Sequence, residues 1–217
     1  LSKRQFAANR QELVMKIVAA EAPPGLLEHR HRYGHDRYDE MWEGVLHMNA
    51  VPHGDHQELA LQLGAWLLQH WAQRGVRKVF PDRNVALYGG WPSDYRIPDL
   101  VLMTEERRAF DKGTHIEGPP LVCIEIHSPN DEAYEKLDFY ALLGVPEVWI
   151  IDSDTKSVEV FALNAAVRTF KPHEPTEDGW LTSAASGVQL AQTAEFKLAI
   201  RLVDKPQSAA ELPFDND

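Results

Sequence analysis

The stretch LVCIEIHSPN, residues 121–130, reads as a buried β-strand with one acid set into it. Leu121, Val122, Cys123, Ile124 and Ile126 give the near-continuous apolar run of a strand covered on both faces. Glu125 interrupts the run, and an isolated carboxylate there costs several kcal/mol unless a cation, a proton or a donor compensates it. A second run of the same kind, EVWIID at 147–152, follows one amphipathic segment. Strand, helix and strand in that order make a crossover, and a crossover joins strands of a sheet with parallel members.

The crossover segment, 131–143, places Ala133, Leu137 and Ala141 on one stripe and reads as a helix stopped at Gly144. Upstream, IPDLVLM (97–103) is another buried strand, preceded by strands near 77–80 and 84–88, with YGGWPSD as the turn. Leu59, Leu63, Trp66, Leu67 and His70 recur at helical spacing. Asp55 as cap and Glu58 as its capping-box partner set that helix over 56–73, ending at Gly75. Residues 38–48 read as extended chain bent at Gly44, and 3–20 as a helix ended by Ala22-Pro23-Pro24-Gly25. VEVFAL (158–163) and short later runs predict an antiparallel extension, with a weakly packed tail after Lys205. The expectation is one α/β domain over 1–217: a helical segment at 1–25, a core at 36–162, and a β extension with tail at 163–217. Its mixed central sheet carries helices on both faces.

An apolar fraction of 44% and a charged fraction of 25% are those of an ordinary globular protein. No apolar run approaches the roughly 20 residues of a membrane span. The N-terminal stretch has no signal-peptide core, so a cytoplasmic protein is expected. The single cysteine, Cys123, excludes an intramolecular disulfide and a cysteine-based zinc site, and reads as an inert core residue. The net charge of −11 speaks against holding nucleic acid by bulk electrostatics. Two stretches lean the other way locally: HRHRYGHDR (29–37) and RGVRKVFPDR (74–83).

Asp99 is a second misplaced acid, in the strand 97–103. If that strand neighbours 121–127, Asp99 and Glu125 converge at one end of the sheet, where two poorly hydrated carboxylates call for a proton or a cation. Mg²⁺ takes one or two carboxylates and keeps several waters, and the Ile126 carbonyl adds a third oxygen. Lys136 shares a helix face with Tyr140 and Gly144, at the margin of the apolar stripe, from where an ammonium reaches over the sheet. Asp, Glu and Lys around a metal suit phosphodiester hydrolysis. A plain ion pair between Glu125 and Lys136 is the alternative account of the buried acid. His53 and His56 stand three apart, but no third ligand completes a zinc set.

Pro98-Asp99, a Glu inside a buried strand and a lysine close behind resemble the PD-(D/E)XK nuclease superfamily. The ordered series EMWEGVLHM, PHGDHQEL, IPDLVLM, GPPLVCIEIHSPN, EKLDFYALLGVPEVWIID and VEVF covers most of 36–162 and is similar to the Uma-type branch of that superfamily. The resemblance implies a restriction-endonuclease-like fold, with Asp99 and Glu125 as metal-binding carboxylates and Lys136 as the catalytic lysine. It also implies an early acid, Glu40 in preference to Glu43, and His56 at the start of the long helix. Implied with them are Mg²⁺ or Mn²⁺ as cofactor, a nucleic acid, DNA foremost, as substrate, and a homodimer, for which loops beside GVPEVWI offer a contact. The superfamily pattern sets its lysine two residues after the Glu; here that residue is His127, and the role passes to Lys136. The acidic charge and His127 favour a rival reading, a non-catalytic interaction domain of the same fold. A hydrolase of small phosphorylated molecules is a third. No helix-turn-helix or zinc finger marks a sequence-reading module.

Overall fold

A computed structural model describes residues 17–19, 24–49, 51–72, 76–129 and 131–214. The first elements are β1 (Ile17–Ala19), α1 (Pro24–Arg32), β2 (Glu40–Trp42), β3 (Val45–Met48) and α2 (Gly54–His70). Next come β4 (Arg77–Pro81), β5 (Val85–Ala86), β6 (Tyr95–Arg96), β7 (Leu100–Thr104), β8 (Ile116–Glu117) and β9 (Val122–His127). Then follow α3 (Leu137–Leu143), β10 (Glu147–Asp152), β11 (Val158–Asn164) and β12 (Thr169–Pro172). The last are β13 (Leu181–Thr182), β14 (Val188–Gln192), β15 (Leu198–Leu202) and β16 (Lys205–Leu212).

The central sheet has the order β12-β11-β10-β9-β7-β4. β9 and β10 pair in parallel from Val122↔Glu147 to His127↔Asp152, the crossover read from the two apolar runs. β7 lies antiparallel on the other side of β9, with Leu100 opposite Ile124. Alternation along these strands feeds two cores. Leu100, Leu102, Val122, Ile124, Ile126 and Trp149 pack with Leu59, Leu63, Trp66 and Leu67 of α2. Val101, Met103, Cys123, Val148 and Ile150 pack with Phe139, Tyr140 and Leu143 of α3. Helices therefore cover both faces, as the buried runs require. Cys123 is fully buried, and burial pushes its thiol well above the ordinary range, as expected of an inert core thiol.

Two further sheets complete the fold. β1-β3-β2-β6-β5-β8 forms an N-terminal layer, in which β2 and β3 make the hairpin at Gly44. Glu43 and Gly44 both have positive φ (50° and 84°), the combination a tight two-residue hairpin turn requires. The antiparallel sheet β13-β14-β15-β16 adds Leu190, Ile200 and Leu212 to the α2 core. Among the described residues, no helix is long and apolar enough to cross a membrane.

Several local expectations change. α2 begins at Gly54 after an extended His53, and no side chain caps it; Asp55 lies within the first turn and Glu58 accepts from Gln62 instead. Gly75, its expected stop, lies outside the described residues. The strand expected at 97–103 begins only at Leu100, and that at 84–88 narrows to Val85–Ala86. The helix expected at 131–143 begins at Leu137, because Asp131 accepts the backbone N–H groups of Ser128 and Ala133 and holds the chain in a turn. Of the helix expected at 3–20, residues 3–16 and 20 lie outside the described residues, while 17–19 are strand paired with β3. Pro24-Gly25 opens α1 instead of closing a helix; proline suits a first turn, where its missing N–H has no partner to lose. The tail after Lys205 is β16, and Trp66 Nε1 donates to the Ser208 carbonyl at 2.9 Å. GVPEVWI is taken up in the chain's own core, with β10 between β9 and β11.

Candidate active site

Glu125 lies at the middle of the sheet with 3% of its surface exposed. Lys136 stands just before α3, one turn ahead of Tyr140, whose N–H donates to the Lys136 carbonyl. That spacing aims both side chains at β9. Lys136 Nζ lies 2.9 Å from Glu125 Oε2, and the Tyr140 hydroxyl donates to Glu125 Oε1 at 2.5 Å. Glu40 of β2 reaches the same ammonium at 2.9 Å, and the Ile97 carbonyl lies 3.4 Å from it. An ammonium has three protons, and three acceptors surround it. Glu40 is committed on both oxygens: Oε1 also accepts from the Ile97 N–H, and Oε2 from Trp42 Nε1.

Burial pushes Glu125 up to about 8; Lys136 opposes the rise, while Asp99 and Glu40 add to it. Burial works against the charge on Lys136, but Glu125 and Glu40 hold it well above the ordinary lysine range. Burial and Glu125 likewise raise Tyr140, which keeps its donor proton. Burial thus favours proton uptake at Glu125, while the Lys136 ammonium beside it stays firmly charged.

A pH dependence follows. The ordinary Glu value is 4.5, so folding takes up a proton at Glu125 between 4.5 and about 8. Stability from this group is therefore complete below 4.5 and is lost as pH rises through about 8, by at most ~1.4 kcal/mol per pH unit. The metal-free melting temperature should decline across this window, and Glu125→Gln should remove that part of the slope. Equal slopes in the two proteins would refute the buried proton.

Asp99 immediately precedes β7, level with Glu125 and Ile126 across the ladder. Its Oδ2 accepts from the Ile126 N–H at 2.6 Å, and its Oδ1 lies 3.3 Å from His56 Nε2. His56 is buried in the first turn of α2, and its Nδ1 has no hydrogen-bond partner among the described residues. Burial opposes charge on this ring, but Asp99, Asp131 and the Ile126 carbonyl outweigh it and raise His56. Asp82 follows β4 at φ 44° and donates its N–H to the Asp99 carbonyl. Burial and then Asp99 raise its carboxyl, against Arg37 at 3.4 Å. Tyr38, Pro52, His56, Asp82 and Asp99 line an open cleft. Glu125 thus faces α3, while Asp99 faces the cleft beside α2, and the charge of Asp99 is felt at Glu125.

His127, where the superfamily pattern has its lysine, is not part of this cluster. Its Nδ1 meets Asp131 at 2.6 Å, and its ring lies edge-on to Tyr134 at the rim. Sequence reasoning missed Tyr140 as a partner of Glu125, although its distance of one helical turn from Lys136 signalled it. Asp82 and Arg37 had no such signal, since polar residues in basic stretches read as surface. Among the described residues, no three of His, Cys, Asp and Glu gather into a set able to hold a metal ion. The fit to a divalent cation lies in charge: Glu40, Asp99 and Glu125 are three acids near one ammonium, and Asp99 and Glu40 add to the rise that burial imposes on Glu125. Of their oxygens, only those of Asp99 border the open cleft.

Residues 28–199, which include Glu40, His56, Asp99, Glu125 and Lys136, match the profile of Uma2, described as "Putative restriction endonuclease". The chain belongs to the Uma2 family. A solved structure from Anabaena variabilis, described as a "putative nuclease belonging to DUF820", is similar with a TM-score of 0.54 and 17% identity. The match covers 68% of this chain and 83% of that one. At that identity it speaks for the fold alone, a mixed α/β fold of restriction-endonuclease-like type. No curated protein matches.

Proposed function

We propose that this Uma2 member is a Mg²⁺- or Mn²⁺-dependent endonuclease that hydrolyses phosphodiester bonds, with DNA as substrate. One observation carries the reading: Lys136 is enclosed by Glu40 and Glu125 beside Asp99, an acid excess at a sheet end that borders an open cleft. Asp99, Glu125 and the Ile126 carbonyl are the hard oxygen donors that would hold the ion. Bound there, the ion would activate water and offset phosphate charge.

The chain's own groups divide the remaining work. Lys136 keeps a positive charge at Glu125, suited to stabilising an attacking water or a phosphate oxygen. Glu40 positions Lys136 and would be a further oxygen donor to the ion beside Asp99 and Glu125. Tyr140 fixes the second oxygen of Glu125, and His56 orients Asp99 toward the cleft.

Plasmid DNA incubated with purified protein, Mn²⁺, Mg²⁺ or EDTA tests this. Cleavage is expected with either metal, and none with EDTA or in Glu125→Gln protein. Millimolar Mn²⁺ should also raise the melting temperature, by an amount equivalent to about 2.7 kcal/mol at a hundredfold excess over Kd, and Asp99→Asn should weaken that response. Metal-dependent cleavage by Glu125→Gln protein, freed of contaminants, would end the reading. A non-catalytic interaction domain is the second reading, favoured because both Glu125 oxygens already have donors. It requires no cleavage and no Mn²⁺ response.

A further inference from the structure

The basic stretch 29–37 has three Arg, three His and one Asp in a chain of net charge −11. It folds as the end of α1 and a short 3-10 turn, His35–Tyr38. Gly34 joins them at φ 67°, a conformation costly for other residues, and this reversal folds His35 back onto Tyr33. Tyr33 is 61% exposed, with the His29 ring at 4.7 Å and the His35 ring at 6.1 Å. Among the described residues, Tyr33 thus presents a large, mostly exposed aromatic ring between two imidazoles.

The platform is rooted in the site. Arg30 binds the Asp39 carboxylate and the His35 carbonyl, and Asp39 directly precedes Glu40. At its other end Arg37 pairs with Asp82 and lies over the Tyr38 ring, and both Tyr38 and Asp82 line the cleft at Asp99. Arg32 and Arg37 make their ion pairs, with Glu28 and Asp82, from side chains about two-thirds exposed. Exposed pairs of this kind are weak, so both guanidinium groups exchange a carboxylate for a phosphate at little cost.

We propose that residues 29–38 receive an unpaired DNA strand and lead it into the cleft. Tyr33 stacks on a base, and Arg32 and Arg37 take backbone phosphates, so the strand passes Tyr38 toward Asp99. A base in a duplex is stacked on its neighbours and offers no free face, so the preferred substrate is single-stranded DNA or an end with a free strand. This deepens the nuclease reading and rests on it.

Fluorescence anisotropy of the full chain in EDTA, with labelled oligothymidylate of about 15 nucleotides and a hairpin duplex of equal length, separates the possibilities. Oligothymidylate should bind more tightly than the hairpin. Tyr33→Ala should weaken it roughly 5- to 150-fold, and Tyr33→Phe should retain it. Arg32→Ala with Arg37→Ala should reduce the steepness of the salt dependence by about 1.4. Equal binding of duplex and single strand, or unchanged affinity in Tyr33→Ala, would overturn the proposal. If oligothymidylate binds through Tyr33 but Mn²⁺ never yields cleavage, the nuclease reading fails and the binding surface stands. If Mn²⁺ cleavage of the single strand proceeds in Tyr33→Ala as in the parent, the surface fails and the nuclease reading stands.

Discussion

Lys136→Met is expected to lower stability by roughly 3–5 kcal/mol at about pH 9 and to abolish cleavage. The methionine fills the space but leaves Glu40 and Glu125 buried together without the ammonium between them. The pH is chosen because Glu125 titrates at about 8. Near pH 6 Glu125 carries its own proton, so the loss should be distinctly smaller there. Urea unfolding at the two pH values measures the difference. An equal loss at both would mean that lysine packing, not charge, is at stake. A variant as stable as the parent at high pH would remove the ion cluster from the account.

Asp99→Asn should reduce cleavage about 100-fold or more while leaving the fold in place. The amide oxygen still accepts from the Ile126 N–H, so the local backbone keeps its main anchor. What disappears is the negative charge beside His56, on a side chain that borders the cleft. Single-turnover cleavage and a melting curve of the same preparation give both quantities. Undiminished turnover would remove Asp99 from the centre, and a collapsed melting curve would make it a structural residue.

What the sequence revealed, and what it concealed, has a common physical origin. β9 and β10 were legible because both faces are buried, so each strand is an apolar run that only a central position explains. Glu125 was legible because it violates that pattern, and Lys136 because one helical turn separates it from Tyr140. The late start of α3 was hidden because the Asp131 side chain competes with the backbone for hydrogen bonds, and residue letters alone do not decide that contest. β16 was hidden for another reason: its inward positions Ser208, Ala210 and Leu212 alternate with exposed ones, but only Leu212 is strongly apolar, so the letters of this edge strand do not show the alternation. Asp82 gave no sign of itself, because its place beside Asp99 comes from tertiary pairing of β4 with β7.

The indole bond from Trp66 to the Ser208 carbonyl bears on the life of the nascent chain. α2, which carries His56, is secured by a strand near the far end of the sequence, and Trp71 Nε1 is bound in the same way to the Ser186 carbonyl. Every residue of the acid–lysine cluster leaves the ribosome before that strand does. At ordinary translation speeds the wait is on the order of several seconds. During it α2 lacks these two tethers to the C-terminal sheet. On the proposed nuclease reading, the site is therefore completed only after the strand Lys205–Leu212 has been made.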